Sequence, residues 1–183
     1  SREDDSIAYR YLLAECYEME NLIKEAVHHW EKIEAEKPNY RNTQAKLTDY
    51  KAIMGDEVMK GIFTSSLDSL HPLIAEIIAR LNFNIITKKT INPNQLVYKA
   101  YNIKRINDPP LLIFFDRTTR EVPENSISRF EELLKIDKCK TGIYIATSRF
   151  SMKAKSSAAS ALIELLDKDF VAATIAKIKL KQK

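Results

Sequence analysis

The chain has 183 residues, of which 45% are apolar and 30% charged, with a net charge of +4 at neutral pH. That length supports one sizeable core or two small ones, and no apolar run approaches the ~20 residues of a membrane-spanning helix, so membrane insertion is not expected. Only three glycines occur, Gly55, Gly61 and Gly142, so no glycine-rich turn can bring backbone amides against a phosphate, and Walker-type and dinucleotide-type sites are excluded.

Charge divides unevenly along the chain. Residues 1–56 carry 8 Lys/Arg against 12 Asp/Glu, and residues 57–183 carry 21 against 13, which predicts two domains. Lys177, Lys179, Lys181 and Lys183 end the chain without an interleaved aromatic to stack a base, and read as a solvated terminus. Cys16 and Cys139 lack C-x-x-C spacing, so no disulfide or thiolate site is expected, and Cys16 lies among apolar helix positions as a small core residue. The opening SREDDSIAYR has no signal-peptide pattern and reads as a cut inside a longer protein.

From Ser6 to Met54 the apolar residues fall on three helical stripes: Leu12, Leu13, Cys16 and Tyr17; Leu22, Ala26, Val27, Trp30 and Ile33; Tyr40, Leu47, Tyr50 and Met54. Pro38 separates the second helix from the third as a residue that the first turn of a helix tolerates, and Gly55 closes the third as a C-terminal cap. The order Leu13, Ala14, Tyr17, Ala26, Trp30, Pro38 resembles a tetratricopeptide repeat, with Ile33 departing from the family's usual alanine. One repeat cannot bury its own faces, so the resemblance implies further repeats upstream and a surface that holds protein partners. His28 and His29 point about 100° apart on a helix and His71 is isolated, so no histidine metal site is expected.

After a connecting helix over 57–71, Pro72 to Leu81 has an amphipathic period. Strands follow at Phe83–Thr87, Leu96–Ile103 and Leu111–Phe115, then a helix at Ser126–Ile136 and a strand at Ile143–Ala146. Ser151 caps a short alanine-rich helix, Leu162–Leu166 forms a last strand, and Asp167 caps a final helix. The domains predicted are 1–56, helical; 57–71, connecting; and 72–183, an αβββαβαβα unit. The fold class is therefore α plus α/β: a helical hairpin followed by a mixed central sheet flanked by helices.

The order of these elements, with GIYIATSRFS before an alanine-containing helix and LIELLD, resembles the Mrr-type branch of the restriction-endonuclease-like PD-(D/E)xK fold. Thr147, Arg149, Phe150, Ala154 and Asp167 stand at that family's spacing. The resemblance implies an aspartate on the second strand and a glutamate or glutamine on the third to hold Mg²⁺, with a lysine two residues later. Here the aspartate position falls at Gln95, beside Asn94, and the Q-x-K element falls on Phe114-Phe115-Asp116. A phenyl ring cannot ligate magnesium, and Asp116 puts a negative charge where a positive one is needed. No metal, cofactor or catalytic residue is therefore expected, and Gln95, Phe114 and Asp116 read as degenerate positions.

A site rebuilt from Glu76, Asp116 and Lys104 or Arg105 would need carboxylates from unrelated elements to converge. Nucleic-acid binding without cleavage needs only positive charge, and Lys88, Lys89, Lys99, Lys104, Arg105, Arg117, Arg120 and Arg149 could line one face. Glu121, Glu124, Glu131, Glu132 and Asp137 are interspersed, as on a mixed solvated surface. The resulting expectation is a non-catalytic scaffold that binds protein partners in a multiprotein complex, its nuclease-like domain a pseudoenzyme kept for docking or stability. The alternatives are a nucleic-acid-binding relative of Mrr-type nucleases and a residual metal-dependent nuclease. The Lys-, Ile- and Asn-rich composition suggests a bacterial source.

Overall fold

The computed structural model describes residues 2–180, so Lys181 and Lys183 of the basic tail lie outside the described residues. The chain divides into two compact units, Ser1–Ser65 and Ser66–Lys183. In the first, α1 (Arg2–Met19), α2 (Ile23–Glu36), α3 (Thr43–Gly55) and α4 (Glu57–Thr64) pack each on the next. The buried stripe of α1 is Ile7, Tyr11, Ala14 and Glu18, a phase that leaves Leu12, Leu13 and Cys16 exposed. The expected core role of Cys16 is thus corrected by the turn of the helix that carries it. Ala14, Ala26 and Trp30 are fully buried between helices, with Tyr11 set edge-on to Trp30 at 4.9 Å.

Pro38 sits in the turn between α2 and α3 rather than in a helix's first turn, where Asn39 and Arg41 take the left-handed conformation. Gly55 is the last helical residue and its φ is not positive, so it is not a left-handed cap. Asp56 ends α3 and starts α4, its carboxylate accepting the Val58 and Met59 amides at 2.8 and 3.2 Å. That capped helix belongs with α3, so the predicted connecting helix over 57–71 is two helices, one in each unit.

The second unit opens with α5 (Leu67–Arg80), capped by Ser66 on the Ser69 amide. Pro72 lies inside this helix, which starts a turn and more before the predicted position. A five-stranded sheet follows in the order β1 (Phe83–Asn92), β2 (Gln95–Asn102), β3 (Leu111–Asp116), β4 (Gly142–Ala146), β5 (Ile163–Leu166). The first two pairings are antiparallel and the last two parallel, with α6 (Glu124–Ile136) and α7 (Met152–Ser160) as the crossovers. Helix α8 (Lys168–Leu180) closes the unit and packs beside α5.

β3 and β4 read as continuous apolar runs because helices cover both faces. On one face Val97, Leu112, Phe114 and Tyr144 join Ile127, Phe130 and Leu134 of α6 and Ala154 and Ala158 of α7 in a single cluster. On the other, Tyr98 stacks on His71 of α5 and shares a hydrogen bond with it at 3.0 Å. β1 runs five residues past its predicted end to Asn92, with register shifts at Ile85/Thr87 and Thr90/Asn92, and its distal half is exposed. Among the described residues no helix is long and apolar enough to cross a membrane.

Gly142 is where the α6 face tolerates no side chain. A Cβ there would lie 2.6 Å from Phe130 Cζ and 3.1 Å from the Leu112 carbonyl oxygen. Gly142→Ala is expected to lose about 1–3 kcal/mol by overpacking. Gly61→Ala, in a helix with nothing within 4 Å of the added carbon, is expected to gain about 0.5–1 kcal/mol. Urea denaturation of the two variants checks the pair, and equal midpoints would show that the Phe130 ring yields freely.

Candidate functional site

The end of the sheet formed by the start of β2 and the ends of β3 and β4 gathers the polar residues. Gln95 pairs in register with Asp116, and its amide Nε2 donates to Asp116 Oδ1 at 3.1 Å. The Tyr144 hydroxyl donates to Asp116 Oδ2 at 2.7 Å. Asp116 is only 6% exposed, and Phe114, two residues back on the same face, sits 4.8 Å from the Tyr144 ring and 5.4 Å from Phe130. Gln95, Phe114 and Asp116 therefore come together, on the face that α6 covers.

Strand alternation carries the neighbouring residues to the opposite face. There Arg117, also buried, donates through Nε and Nη2 to Asn94 Oδ1 at 3.1 and 3.0 Å, and through Nη2 to the Pro93 carbonyl at 3.0 Å. Its backbone amide donates to the Asn94 carbonyl at 2.8 Å. The β1–β2 turn is thus held by both faces of the β3 end: Asn92 Nδ2 donates to Gln95 Oε1 at 2.8 Å, and the Asn94 amide donates to Asn92 Oδ1 at 2.8 Å.

The two loops that leave this edge are joined to each other. The Thr118 amide donates to Thr147 Oγ1, which donates in turn to the Thr118 carbonyl, both at 2.8 Å. The Val122 amide reaches the Arg149 carbonyl at 2.8 Å and the Ser151 amide reaches the Val122 carbonyl at 3.0 Å. Thr147 and Phe150 are buried, while Arg120 and Arg149 are exposed on this rigid pair of loops. Ser151 caps α7 on the Ala154 amide, and Asp167 caps α8 on the amides of Asp169 and Phe170.

Several of the other basic residues are engaged by acidic side chains or carbonyls elsewhere. Lys88 pairs with Asp68 at 3.6 Å, Lys99 donates to the Asp137 carbonyl at 3.2 Å, and Arg105 pairs with Asp108 at 3.2 Å. Lys104 and Arg105 follow the far end of β2 at Asn102, which is seven residues or roughly 23 Å from Gln95 along the strand. Glu76 points outward to Arg80 at 3.0 Å. The rebuilt constellation of Glu76, Asp116 and Lys104 or Arg105 is therefore not assembled. Tyr144, which sequence reasoning missed, is the principal partner of Asp116; its one signal was a tyrosine inside the otherwise aliphatic strand GIYIA.

Burial raises the Asp116 pKa, against the opposing effect of the hydrogen bonds from Tyr144 and Gln95. Burial also raises the Tyr144 pKa, helped by the adjacent Asp116 charge, and lowers that of the Arg117 guanidinium. Among the described residues, no three His, Cys, Asp or Glu side chains gather in an arrangement suited to a metal ion.

A mixed five-stranded sheet with crossover helices and a polar strand-end site defines a restriction-endonuclease-like domain. Residues 67–175 match the restriction endonuclease family Mrr_cat, and the chain belongs to that family. Among solved structures it is similar to the MspJI restriction endonuclease in complex with a 27-mer oligonucleotide. That similarity is at 14% identity and a TM-score of 0.43, over 74% of this chain and 32% of the other, so the chain spans about a third of that protein's length. No curated protein matches. The family match overturns the expected non-catalytic scaffold and favours the nucleic-acid alternative.

Because the folded-state pKa of Asp116 is raised, the native protein holds this proton more tightly than the unfolded chain. Stability from this group is then greatest at acid pH and declines as pH rises from 3.8, the unfolded value, through the raised native value. Asp116→Asn is expected to remove that decline: its melting temperature relative to the parent should rise between pH 4 and neutrality, in thermal unfolding followed by circular dichroism. A relative melting temperature that falls over this range would show that the ionised carboxylate stabilises the fold.

Proposed function

We propose that this domain binds duplex DNA at the β3–β4 edge of its sheet and does not hydrolyse it. Family membership over residues 67–175 supports the DNA partner, and the charge of the second unit supports the surface: residues 66–183 carry 20 Lys/Arg against 12 Asp/Glu. Phosphate contacts need exposed cations on a stable platform. Arg120 and Arg149 are such cations, on loops locked together through Thr118, Thr147 and Val122.

The single observation that carries the loss of hydrolysis is the donor set on the two faces of the strand end. Magnesium requires several hard oxygen ligands at ~2.0–2.1 Å, carboxylates foremost. The α6 face offers Gln95, Phe114 and Asp116, with both Asp116 oxygens engaged by Gln95 and Tyr144. The opposite face offers Asn94, Leu96, Phe115 and Arg117, without a carboxylate. Neither set fits the metal, and Gln95, Phe114 and Asp116 are read as degenerate positions. In the first unit, the buried Ala14, Ala26 and Trp30 support a tetratricopeptide-like hairpin.

Fluorescence anisotropy with a labelled mixed-sequence duplex tests the reading. Binding by the full chain should weaken steeply with salt, with Kd on the order of 10⁻⁴–10⁻⁶ M at physiological salt if contacts are mainly to phosphate. Arg120→Ala with Arg149→Ala should weaken it and lower the salt slope by about 2. With Mg²⁺ or Mn²⁺ added, plasmid should stay intact. Cleavage that disappears in Asp116→Asn would sink the non-hydrolytic assignment, and a duplex that does not bind at any salt would sink the proposal whole.

A further inference from the structure

The other helices of the second unit, α5, α6 and α8, mix both signs of charge, but the crossover after β4 carries basic residues alone. Glu124, Glu131 and Glu132 lie on α6, and Asp137 ends it. From Lys138 to Ile163 the chain has five basic residues and no acidic one, and three of the five, Arg149, Lys153 and Lys155, lie in succession along the β4–α7 loop and α7. All three are exposed. Asp116, the carboxylate nearest this edge in the strands, is buried and hydrogen-bonded, so it is not displayed at the surface.

α7 has an inner and an outer side. Ala154 and Ala158 are buried against the core, while Met152, Lys153, Lys155, Ser156, Ala159 and Ser160 are exposed. Met152, Ser156 and Ala159, at i, i+4 and i+7, share one outer stripe. Met152 is 76% exposed, a large apolar side chain that no core receives. The stripe is otherwise short-chained, so the helix is slimmer on that side than the ~10–12 Å of an ordinary helix with its side chains. A B-form major groove is about 12 Å wide and admits one helix.

We infer that α7 is the element laid in the major groove: Met152, Ser156 and Ala159 face the base edges, and Lys153 and Lys155 take flanking phosphates. The inference rests on the DNA-binding reading above and gives it an orientation. Arg149 continues the cationic line from α7 onto its preceding loop, which holds no acidic residue, while Glu121 lies exposed on the neighbouring β3–α6 loop. α6, which packs beside α7, sets Glu124, Glu131 and Glu132 against Arg129 and Lys135 and so offers a duplex no comparable cationic line. An exposed methionine and small side chains suit contact with a thymine methyl and tolerate close approach of base edges.

The test uses the full chain, a fluorescein-labelled 20-base-pair duplex of mixed sequence and anisotropy over a series of KCl concentrations. Lys153→Glu with Lys155→Glu should weaken binding at least ~30-fold and reduce the salt slope by about 2, one per lost phosphate contact. Ala159→Trp should weaken binding ~10-fold by filling the groove-facing stripe, with its melting temperature unchanged because the position is exposed. Lys135→Glu, on the exposed surface of α6, should stay within ~3-fold of the parent. If Arg120→Ala/Arg149→Ala weakens binding while the α7 variants match the parent, the loops alone meet DNA: α7 is then misassigned and the DNA-binding reading stands. If the unaltered chain binds no duplex, both fall.

Discussion

The middle strand of the sheet ends in a buried carboxylate, and much of the second unit is arranged to satisfy it. β3 is apolar from Leu111 to Phe115 because helices cover both faces, and Asp116 follows while still inside. A buried ionised group is costly unless hydrogen bonds replace its lost water. Tyr144 from β4 and Gln95 from β2 supply them, so three adjacent strands are tied at one end by one side chain. Arg117, on the other face, fixes the β1–β2 turn through Asn94 and Pro93. The charges of Asp116 and Arg117 are thus spent on different neighbours, although the residues are adjacent.

This arrangement explains which parts of the fold were legible. Helices and strands of the second unit follow from period and from punctuation such as Ser151 and Asp167, whose caps act locally. Where the reading failed, the deciding information was not local. The phase of α1 depends on which of its two apolar stripes meets α2; the alternative containing Leu12, Leu13 and Cys16 looked equally good in one dimension. The end of β1 depends on pairing with β2 across a turn, which carries polar residues such as Lys88 and Lys89 into a strand. The division at Ser65/Ser66 depends on where two capped helices pack, and both caps were present in the sequence as Asp56 and Ser66.

The candidate site was legible in part for the same reason. Gln95, Phe114 and Asp116 do meet, because strand register converts their spacing into adjacency. The sequence could not say which face each occupies, and a single-residue change of frame exchanges faces entirely. Reading Phe114-Phe115-Asp116 as one element sets Asp116 at the expected lysine position, and in the fold its partners there are a tyrosine and a glutamine. Tyr144 carried no motif of its own. Its role comes from lying opposite Phe114 in register, with its hydroxyl extending one step further along the strand direction to Asp116.

Charge shows the opposite relation between sequence and surface. Counted along the chain, the acidic and basic residues of the second unit look mixed, which argues for a solvated face and nothing more. The elements divide them unevenly, because α6 mixes Glu124, Glu131 and Glu132 with Arg129 and Lys135 whereas α7 with its preceding loop holds Arg149, Lys153 and Lys155 without a single acid. Local potential, not net charge, determines where a phosphate backbone can approach. The same sorting separates the proposed binding surface from the strand-end chemistry. The cationic stretch is built on the crossover after β4 and owes nothing to the buried carboxylate of Asp116.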